Sequence, residues 1–265
     1  SNLLSTACFS PAGGEFALDS RAGKRYNVPK RQKEGNPMDI TAMAQWLNAA
    51  FSGYDGAILG ALHALAQAAG GFFTPFMKLI TLLGEKGLLF FLLALALMCF
   101  SKTRPIGVCV FGAVCCGALI TNLILKDWVA RPRPFEALAL YKQWWTAVGS
   151  PAEDGFSFPS GHVTAAAAGM SALCFMRGKK LILPSVLVVF LMGVSRNYLV
   201  AHYPSDVLAA IMIGLLSGLV AWVITKLIFR FLEEHRAVPF FAFLLDFDLS
   251  PAALRRGGYQ GKHQR

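Results

Sequence analysis

The sequence predicts an all-α protein, a bundle of membrane-spanning helices. Its 265 residues are 55% hydrophobic and only 15% charged, whereas about 25% of the residues of a soluble domain are charged. The apolar residues are also gathered into long charge-free runs, and a helix needs about 20 mostly apolar residues to cross a bilayer. A disordered chain is excluded because such chains are poor in apolar residues.

Five charge-free runs of 15 to 22 residues predict the spanning helices. They are Gly87–Ser101, Pro105–Leu125, Gly155–Met176, Leu181–Ser195 and Val207–Thr225. A weaker candidate, Ile40–Gly71, precedes them and contains Asp55 and His63. We expect six spans. If residues 40–71 only lie in the membrane interface, the number falls to five and the N-terminus moves to the outer side.

The basic residues predict the orientation. The net charge is +10, which in a soluble protein would suggest nucleic acid, but cytoplasmic loops of membrane proteins collect Lys and Arg. The basic segments are Arg21–Lys33, Lys102–Arg104, Arg177–Lys180 and the tail from Lys226. The connections expected outside are Thr74–Lys86, Lys126–Asp154 and Arg196–Asp206. We expect a multi-pass plasma-membrane protein with cytoplasmic termini, divided into a basic N-terminal segment (1–39), a membrane domain (40–229) and a C-terminal tail (230–265).

Three polar clusters lie on the outer side of this topology. The first runs from Lys126 to Pro134 and includes Arg133; alone, it is most simply the basic boundary of a span. The second is Phe158–His162. Ser160 suits an N-cap there, and the N–H groups at a helix start bind anions, although a plain cap beside an interfacial histidine is an equal alternative.

The third cluster extends from Ser195 to Asp206. Pro204 suits the first turn of the following helix, so His202 and Asp206, four residues apart, can meet. The three clusters together supply fixed cations, a helix N-terminus, two histidines and a carboxylate. These are the groups that phosphoryl transfer requires, because cations and N–H donors neutralise the phosphoryl oxygens while histidines act as nucleophile and general acid.

The motifs carry a family resemblance. Lys126-x6-Arg133-Pro134, Pro159-Ser160-Gly161-His162 and Ser195-Arg196-x5-His202-x3-Asp206 resemble the three-part signature of the type 2 phosphatidic acid phosphatase superfamily. The match covers roughly residues 55–225, in order. That superfamily includes bacterial lipid phosphatases, undecaprenyl-diphosphate phosphatases, glucose-6-phosphatase and the vanadium haloperoxidases.

The resemblance implies a role for each motif residue. His202 would be the nucleophile that forms a phosphohistidine, Asp206 would orient it, and His162 would be the general acid and later the base that activates water. The residues that would bind the phosphate are Lys126, Arg133, Ser160, Gly161 and Arg196. The resemblance implies catalysis without a metal, and the sequence has neither an acidic cluster suited to magnesium nor a Walker-type loop; no cofactor and no nucleic-acid partner are expected.

We therefore expect an enzyme that dephosphorylates a membrane lipid at the outer face. The preferred substrate is an isoprenoid diphosphate such as undecaprenyl diphosphate, and the alternative is phosphatidate or phosphatidylglycerol phosphate. A vanadate-dependent haloperoxidase is disfavoured because those enzymes are soluble. A transporter or a structural membrane protein is disfavoured because the charged residues converge on one side instead of being scattered.

Overall fold

The computed structural model describes residues 8–9, 15–18, 25–27 and 40–250. The chain divides into two compact units, Ser1–Asp39 and Ile40–Arg265. In the first unit, three short antiparallel strands, β1 (Cys8–Phe9), β2 (Glu15–Leu18) and β3 (Arg25–Asn27), pair in the order β1-β2-β3. Most of the predicted basic N-terminal segment, and the tail beyond Ser250, lie outside the described residues.

The second unit is helical from Ile40 to Ser250, which confirms the predicted all-α membrane fold. Its helices are α1 (Ala42–Ala50), α2 (Ser52–Leu83), α3 (Leu88–Met98), α4 (Arg104–Ala118), α5 (Lys126–Val129), α6 (Pro134–Ala137), α7 (Ala139–Ala147), α8 (Gly161–Arg177), α9 (Ile182–Tyr198), α10 (Pro204–Glu234) and α11 (Pro239–Asp246). Short 3-10 turns at Glu85–Gly87 and Lys179–Leu181 precede α3 and α9, and a π-helix, Leu119–Leu125, continues α4.

Four segments of the described chain are long and apolar enough to cross a membrane, by length and composition alone. They are Ser52–Met98, Arg104–Ala137, Lys179–Tyr198 and Pro204–Glu234. Helix α8, with 17 residues, occupies the predicted run Gly155–Met176 from Gly161 onward. Each of the five predicted runs therefore contains a helix of the structure.

Small residues let α8 and α10 pack closely. A Cβ atom added to Gly214 of α10 would lie 2.8 Å from the backbone nitrogen of Ala168 and 2.9 Å from the backbone oxygen of Thr164. Close approach through glycine and alanine is typical of membrane helix pairs, which gain stability from van der Waals packing. The contact fixes the start of α8 beside the start of α10, where two of the predicted motifs lie.

The predicted outer connection Thr74–Lys86 is helical through Leu83. Helix α2 is kinked at Ala69 and then follows the last turns of α9. The Thr74 and Tyr198 hydroxyls are 2.8 Å apart, and the side chain of Met77 is buried against Tyr198. Tertiary packing therefore holds this segment in a helix despite Pro75.

The described chain begins and ends at opposite ends of the bundle. The Thr41 hydroxyl donates to the backbone oxygen of Val129, and Asp55 pairs with Arg131, so α1 and the start of α2 lie at the end where α10 begins. At the other end, Arg104 donates to the backbone oxygen of Leu245 at 2.9 Å.

The contacts of α2 bear on the choice between six predicted spans and the five-span alternative. The two ends of α2 contact the same end of the bundle, because Asp55 reaches Ser205 at the start of α10 and Gly84 lies against His162 at the start of α8. The five-span alternative, with residues 40–71 in the interface, agrees with these contacts. Asp55 is buried in a polar network with Arg131 and Ser205.

Candidate active site

Four segments bring the predicted motif residues together at one end of the bundle. They are the end of the π-helix with Lys126, the turn that precedes α6, the turn that precedes α8, and the connection between α9 and α10. A cavity of about 420 Å³ opens between them. Five of the predicted site residues line it: Lys126, Arg133, Gly161, His162 and His202.

His202 is buried in the connection between α9 and α10, with 2% of its surface exposed. Its Nδ1 lies 2.7 Å from the backbone oxygen of Ser157. Because that oxygen can only accept, Nδ1 carries the proton and Nε2 keeps its lone pair. Burial, Arg196 and Arg133 hold the pKa of His202 well below its ordinary value, so the imidazole is neutral near pH 7.

Asp206 contacts His202 less directly than predicted. Its Oδ2 is 3.8 Å from His202 Nδ1, which is beyond a hydrogen bond. The carboxylate accepts instead from the Ser157 hydroxyl at 2.5 Å, from the Tyr203 backbone N–H at 3.0 Å and from Arg131 at 2.6 Å. Asp206 therefore reaches His202 through Ser157, whose hydroxyl binds the carboxylate and whose carbonyl binds the imidazole.

Arg131 is the centre of a buried network that the sequence analysis missed. It is 0% exposed and donates to Asp55 at 2.9 Å, Asp206 at 2.6 Å and Ser205 at 2.8 Å, while its guanidinium lies over the Tyr203 ring. Asp55 in turn accepts from the Ser205 backbone N–H. Arg131 lies two residues before the motif residue Arg133, in the sequence Arg131-Pro132-Arg133-Pro134. This repeated Arg-Pro pair is the sequence feature that could have drawn attention to Arg131.

His162 lies in the first turn of α8 and lines the cavity. Its Nε2 is 3.3 Å from Glu85 Oε2, and Glu85 lines the same cavity. Ser160 occupies the N-cap position, as predicted, but its side chain makes no cap hydrogen bond. The first N–H groups of α8 have no partner within the helix, so they can donate to an anion.

Two arginines of the predicted phosphate site are buried and share one carboxylate. Arg133 Nη1 lies 3.0 Å from Glu153 Oε2 and also donates to the Ala201 backbone oxygen at 3.0 Å. Arg196 donates to Glu153 Oε1. Among the described residues, no hydrogen-bond partner reaches Ser160 Oγ or the Nε and Nη1 atoms of Arg196. These buried atoms are therefore left without an acceptor among the described residues.

The backbone is strained beside His202. Val200, which is buried, has φ of +57°, a conformation that is rare for a β-branched side chain. Such residues cost about 1–3 kcal/mol and cluster at functional sites. The turn positions Ala201, whose carbonyl holds Arg133, next to His202. Within residues 40–250, no group of three or more His, Cys, Asp or Glu side chains is arranged to hold a metal ion.

Comparisons with known proteins agree with the motifs. The PAP2 superfamily model matches residues 107–230. Phosphatidylglycerophosphatase B of Bacillus subtilis is 33% identical over 108 residues, 37% of this chain and 47% of that protein. Undecaprenyl-diphosphatase BcrC of the same organism is 31% identical over 115 residues, 43% of this chain and 56% of that protein. The chain thus matches about half the length of each of these relatives.

A solved structure has the same fold. It is the crystal structure of a transmembrane PAP2-type phosphatidylglycerolphosphate phosphatase from Bacillus subtilis, which is 25% identical, with a TM-score of 0.56. The alignment covers 69% of this chain and 90% of that one.

Proposed function

We propose, from the premise that this chain belongs to the PAP2 superfamily, that it hydrolyses the phosphate or diphosphate of a membrane lipid through a phosphohistidine. One observation carries the proposal: buried Arg133 and Arg196 converge beside His202, and Arg196 and Ser160 keep donors without a partner among the described residues. Unpaired buried donors cost about 1–3 kcal/mol each. A phosphoryl group, with three terminal oxygens, would satisfy them.

The first step is attack by His202 Nε2 on phosphorus. The Ser157 carbonyl holds the proton on Nδ1, so the lone pair of Nε2 forms the N–P bond while the P–O bond to the leaving group breaks. The leaving group is the lipid monophosphate of a diphosphate substrate or the lipid alkoxide of a monoester. Lys126, Arg133, Arg196 and the N–H groups at the start of α8 stabilise the charge on the phosphoryl oxygens. Because Nδ1–H is bonded to a carbonyl that is fixed by the fold, the imidazole needs no reorientation.

His162 would protonate the leaving oxygen and then activate water. It lines the same cavity as His202, and a histidine in this position gives general acid catalysis of typically 10²–10⁴-fold. Water then attacks the phosphorus, the N–P bond breaks, and inorganic phosphate and free His202 are released. The side chains of the site supply the positive charge, so we propose that turnover requires no metal.

For the substrate we propose an isoprenoid diphosphate, with phosphatidylglycerol phosphate as the second candidate. The relatives include an undecaprenyl-diphosphatase and a phosphatidylglycerophosphatase, and the identities are similar. Both substrates place a phosphorylated headgroup at the membrane surface, where a site at the ends of α8 and α10 meets it.

We also propose that the site faces the outside of the cell and that the chain crosses the membrane five times, through α3, α4, α8, α9 and α10. The basic segments Lys102–Arg104 and Arg177–Lys180 lie at the end away from the site, as cytoplasmic loops would. With α1 at the site end, Ile40 lies outside.

In a variant lacking the native cysteines, Gln45→Cys should react with an impermeant thiol reagent in intact cells, whereas Gly178→Cys should not. The reverse pattern would contradict this orientation, and protection of both would favour six spans.

The activity is tested by phosphate release from the purified protein against a panel of lipid phosphates and diphosphates in EDTA. We expect release, with inhibition by vanadate, which mimics pentacoordinate phosphorus on His202. Activity that is lost in EDTA and restored by magnesium would contradict the proposed chemistry. The order of rates across the panel selects the substrate.

A further inference from the structure

We propose that Glu153 occupies the place of the substrate phosphate in the free enzyme, and that its carboxylate must leave Arg133 and Arg196 before phosphate binds. Glu153 would thereby set the affinity of the site for phosphate and assist the release of the inorganic phosphate product. This inference rests on the proposed function, because it takes the two arginines to be phosphate ligands.

The contacts of Glu153 are those of an anionic ligand. Its two carboxylate oxygens bind different arginines, Oε2 facing Arg133 and Oε1 facing Arg196. The side chains of the arginines are 3% and 0% exposed, and that of Glu153 is 11% exposed. Glu153 also lines the cavity beside Lys126, His162 and His202. Glu153 therefore contacts both the cavity and the buried Arg196.

Glu153 carries its charge at neutral pH. Burial by itself raises its pKa, but Arg196, Arg133 and His202 oppose that effect and the net result is a pKa below the ordinary value. A phosphate group and this carboxylate are both negative, so they cannot share the arginines without strong repulsion in a buried site. Binding of one requires departure of the other.

The carboxylate is an incomplete ligand, which favours exchange. Arg196 donates to Glu153 through Nη2, while its Nε and Nη1 have no partner among the described residues. Ser160 Oγ also has no hydrogen-bond partner among those residues. A carboxylate has two oxygens and both are already used. A phosphoryl group has three terminal oxygens, so it can reach donors that Glu153 leaves unsatisfied.

The exchange requires only a side-chain rotation. Glu153 lies in the connection between α7 and α8, and the backbone beside it is held by Arg133, whose Nη2 and Nε donate to the oxygens of Asp154 at 2.7 Å and Gly155 at 2.9 Å. These bonds can persist while the three side-chain torsions of Glu153 change. The main chain thus stays in place for catalysis after the carboxylate has moved.

Competition of this kind has a defined magnitude. The apparent dissociation constant equals the intrinsic value divided by the fraction of molecules whose site is open. If Glu153 fills the site in nine of ten molecules, its removal tightens phosphate binding about tenfold. The same factor applies to orthophosphate as product and as inhibitor, since both compete with the same carboxylate.

The test is calorimetric titration of the purified full chain in detergent with inorganic orthophosphate, without turnover. Glu153→Gln should bind orthophosphate about tenfold more tightly than the unaltered protein, and orthophosphate should raise its melting temperature more. Glu153→Asp, which keeps the charge on a shorter side chain, should lie between the two. Asp127→Asn is the matched control, since it removes a carboxylate from an exposed position beside Lys126, and should leave orthophosphate binding unchanged.

Equal or weaker orthophosphate binding by both Glu153→Gln and Glu153→Asp would overturn the inference, and so would the same tightening in Asp127→Asn. The inference and the proposed function fail separately. Unchanged affinity in a protein that still hydrolyses lipid phosphates would refute only the role of Glu153. Tighter binding in a protein without lipid phosphatase activity would support the competition and contradict the enzymatic proposal.

Discussion

The Arg131 network allows a quantitative test of how the first helices are tied to the site. Arg131 is the cation between two buried carboxylates, Asp55 and Asp206. Arg131→Met keeps an extended apolar side chain but leaves both carboxylates without their ion-pair partner. Breaking a buried ion pair by removing one partner costs about 3–5 kcal/mol. We therefore expect Arg131→Met to be among the most destabilising single substitutions in the protein.

The assay is thermal unfolding of the purified protein in detergent, followed by tryptophan fluorescence. A loss of about 3–5 kcal/mol lowers the melting temperature by at least about 6 °C for a protein of this size, at about 2–4 °C per kcal/mol. Arg230→Met is the matched control, because Arg230 pairs with Glu234 on the surface, where ion pairs contribute little. Adding Asp55→Asn to Arg131→Met should recover part of the loss, since one unpaired charge is then removed. Equal melting temperatures for Arg131→Met and Arg230→Met would refute this reasoning.

Three further predictions concern the chemistry and the packing. His162→Ala should lose most activity on lipid monophosphates but keep a larger fraction on p-nitrophenyl phosphate, whose leaving group needs no proton; equal losses in steady-state assays would remove the acid role. Because the pKa of His202 is lowered, the imidazole stays neutral as the pH falls through about 6.5. The rate of single-turnover phosphorylation should therefore not decline between pH 7 and 5.5. A fall in that rate centred near pH 6.5 would contradict this. Gly214→Ala should lower the melting temperature because its Cβ would meet backbone atoms of α8. Gly60 has open space around it, so Gly60→Ala should leave the melting temperature unchanged or raise it. Equal shifts for the two variants would contradict the packing described.

The sequence predicted the bundle well because apolar runs report directly on membrane helices. Helix boundaries such as Gly161 and Pro204 followed from caps and proline positions, which are local signals. The path of α2 could not be predicted in this way. Its hydropathy suits a span, but its position depends on Asp55 reaching Arg131 and Ser205, which are distant in sequence.

In the candidate site, too, local sequence patterns predicted some residues, whereas others depend on contacts between distant parts of the chain. The predicted residues Lys126, Arg133, His162 and His202 line one cavity, because the motifs occupy the ends of adjacent helices. The roles of Ser157 and Glu153 depend on a backbone carbonyl and on a side chain in an irregular connection. Neither has a pattern of spacing in the sequence, so only the folded chain brings them to His202 and to the arginines.

Identification of the phosphorylated residue tests the central claim most directly. The purified protein is mixed with a lipid substrate labelled in its transferred phosphate, quenched at alkaline pH within the first turnover, and digested for mass spectrometry. We predict phosphate on the peptide that contains His202, and none in His202→Ala. Phosphate on another residue, or its persistence in His202→Ala, would contradict the account.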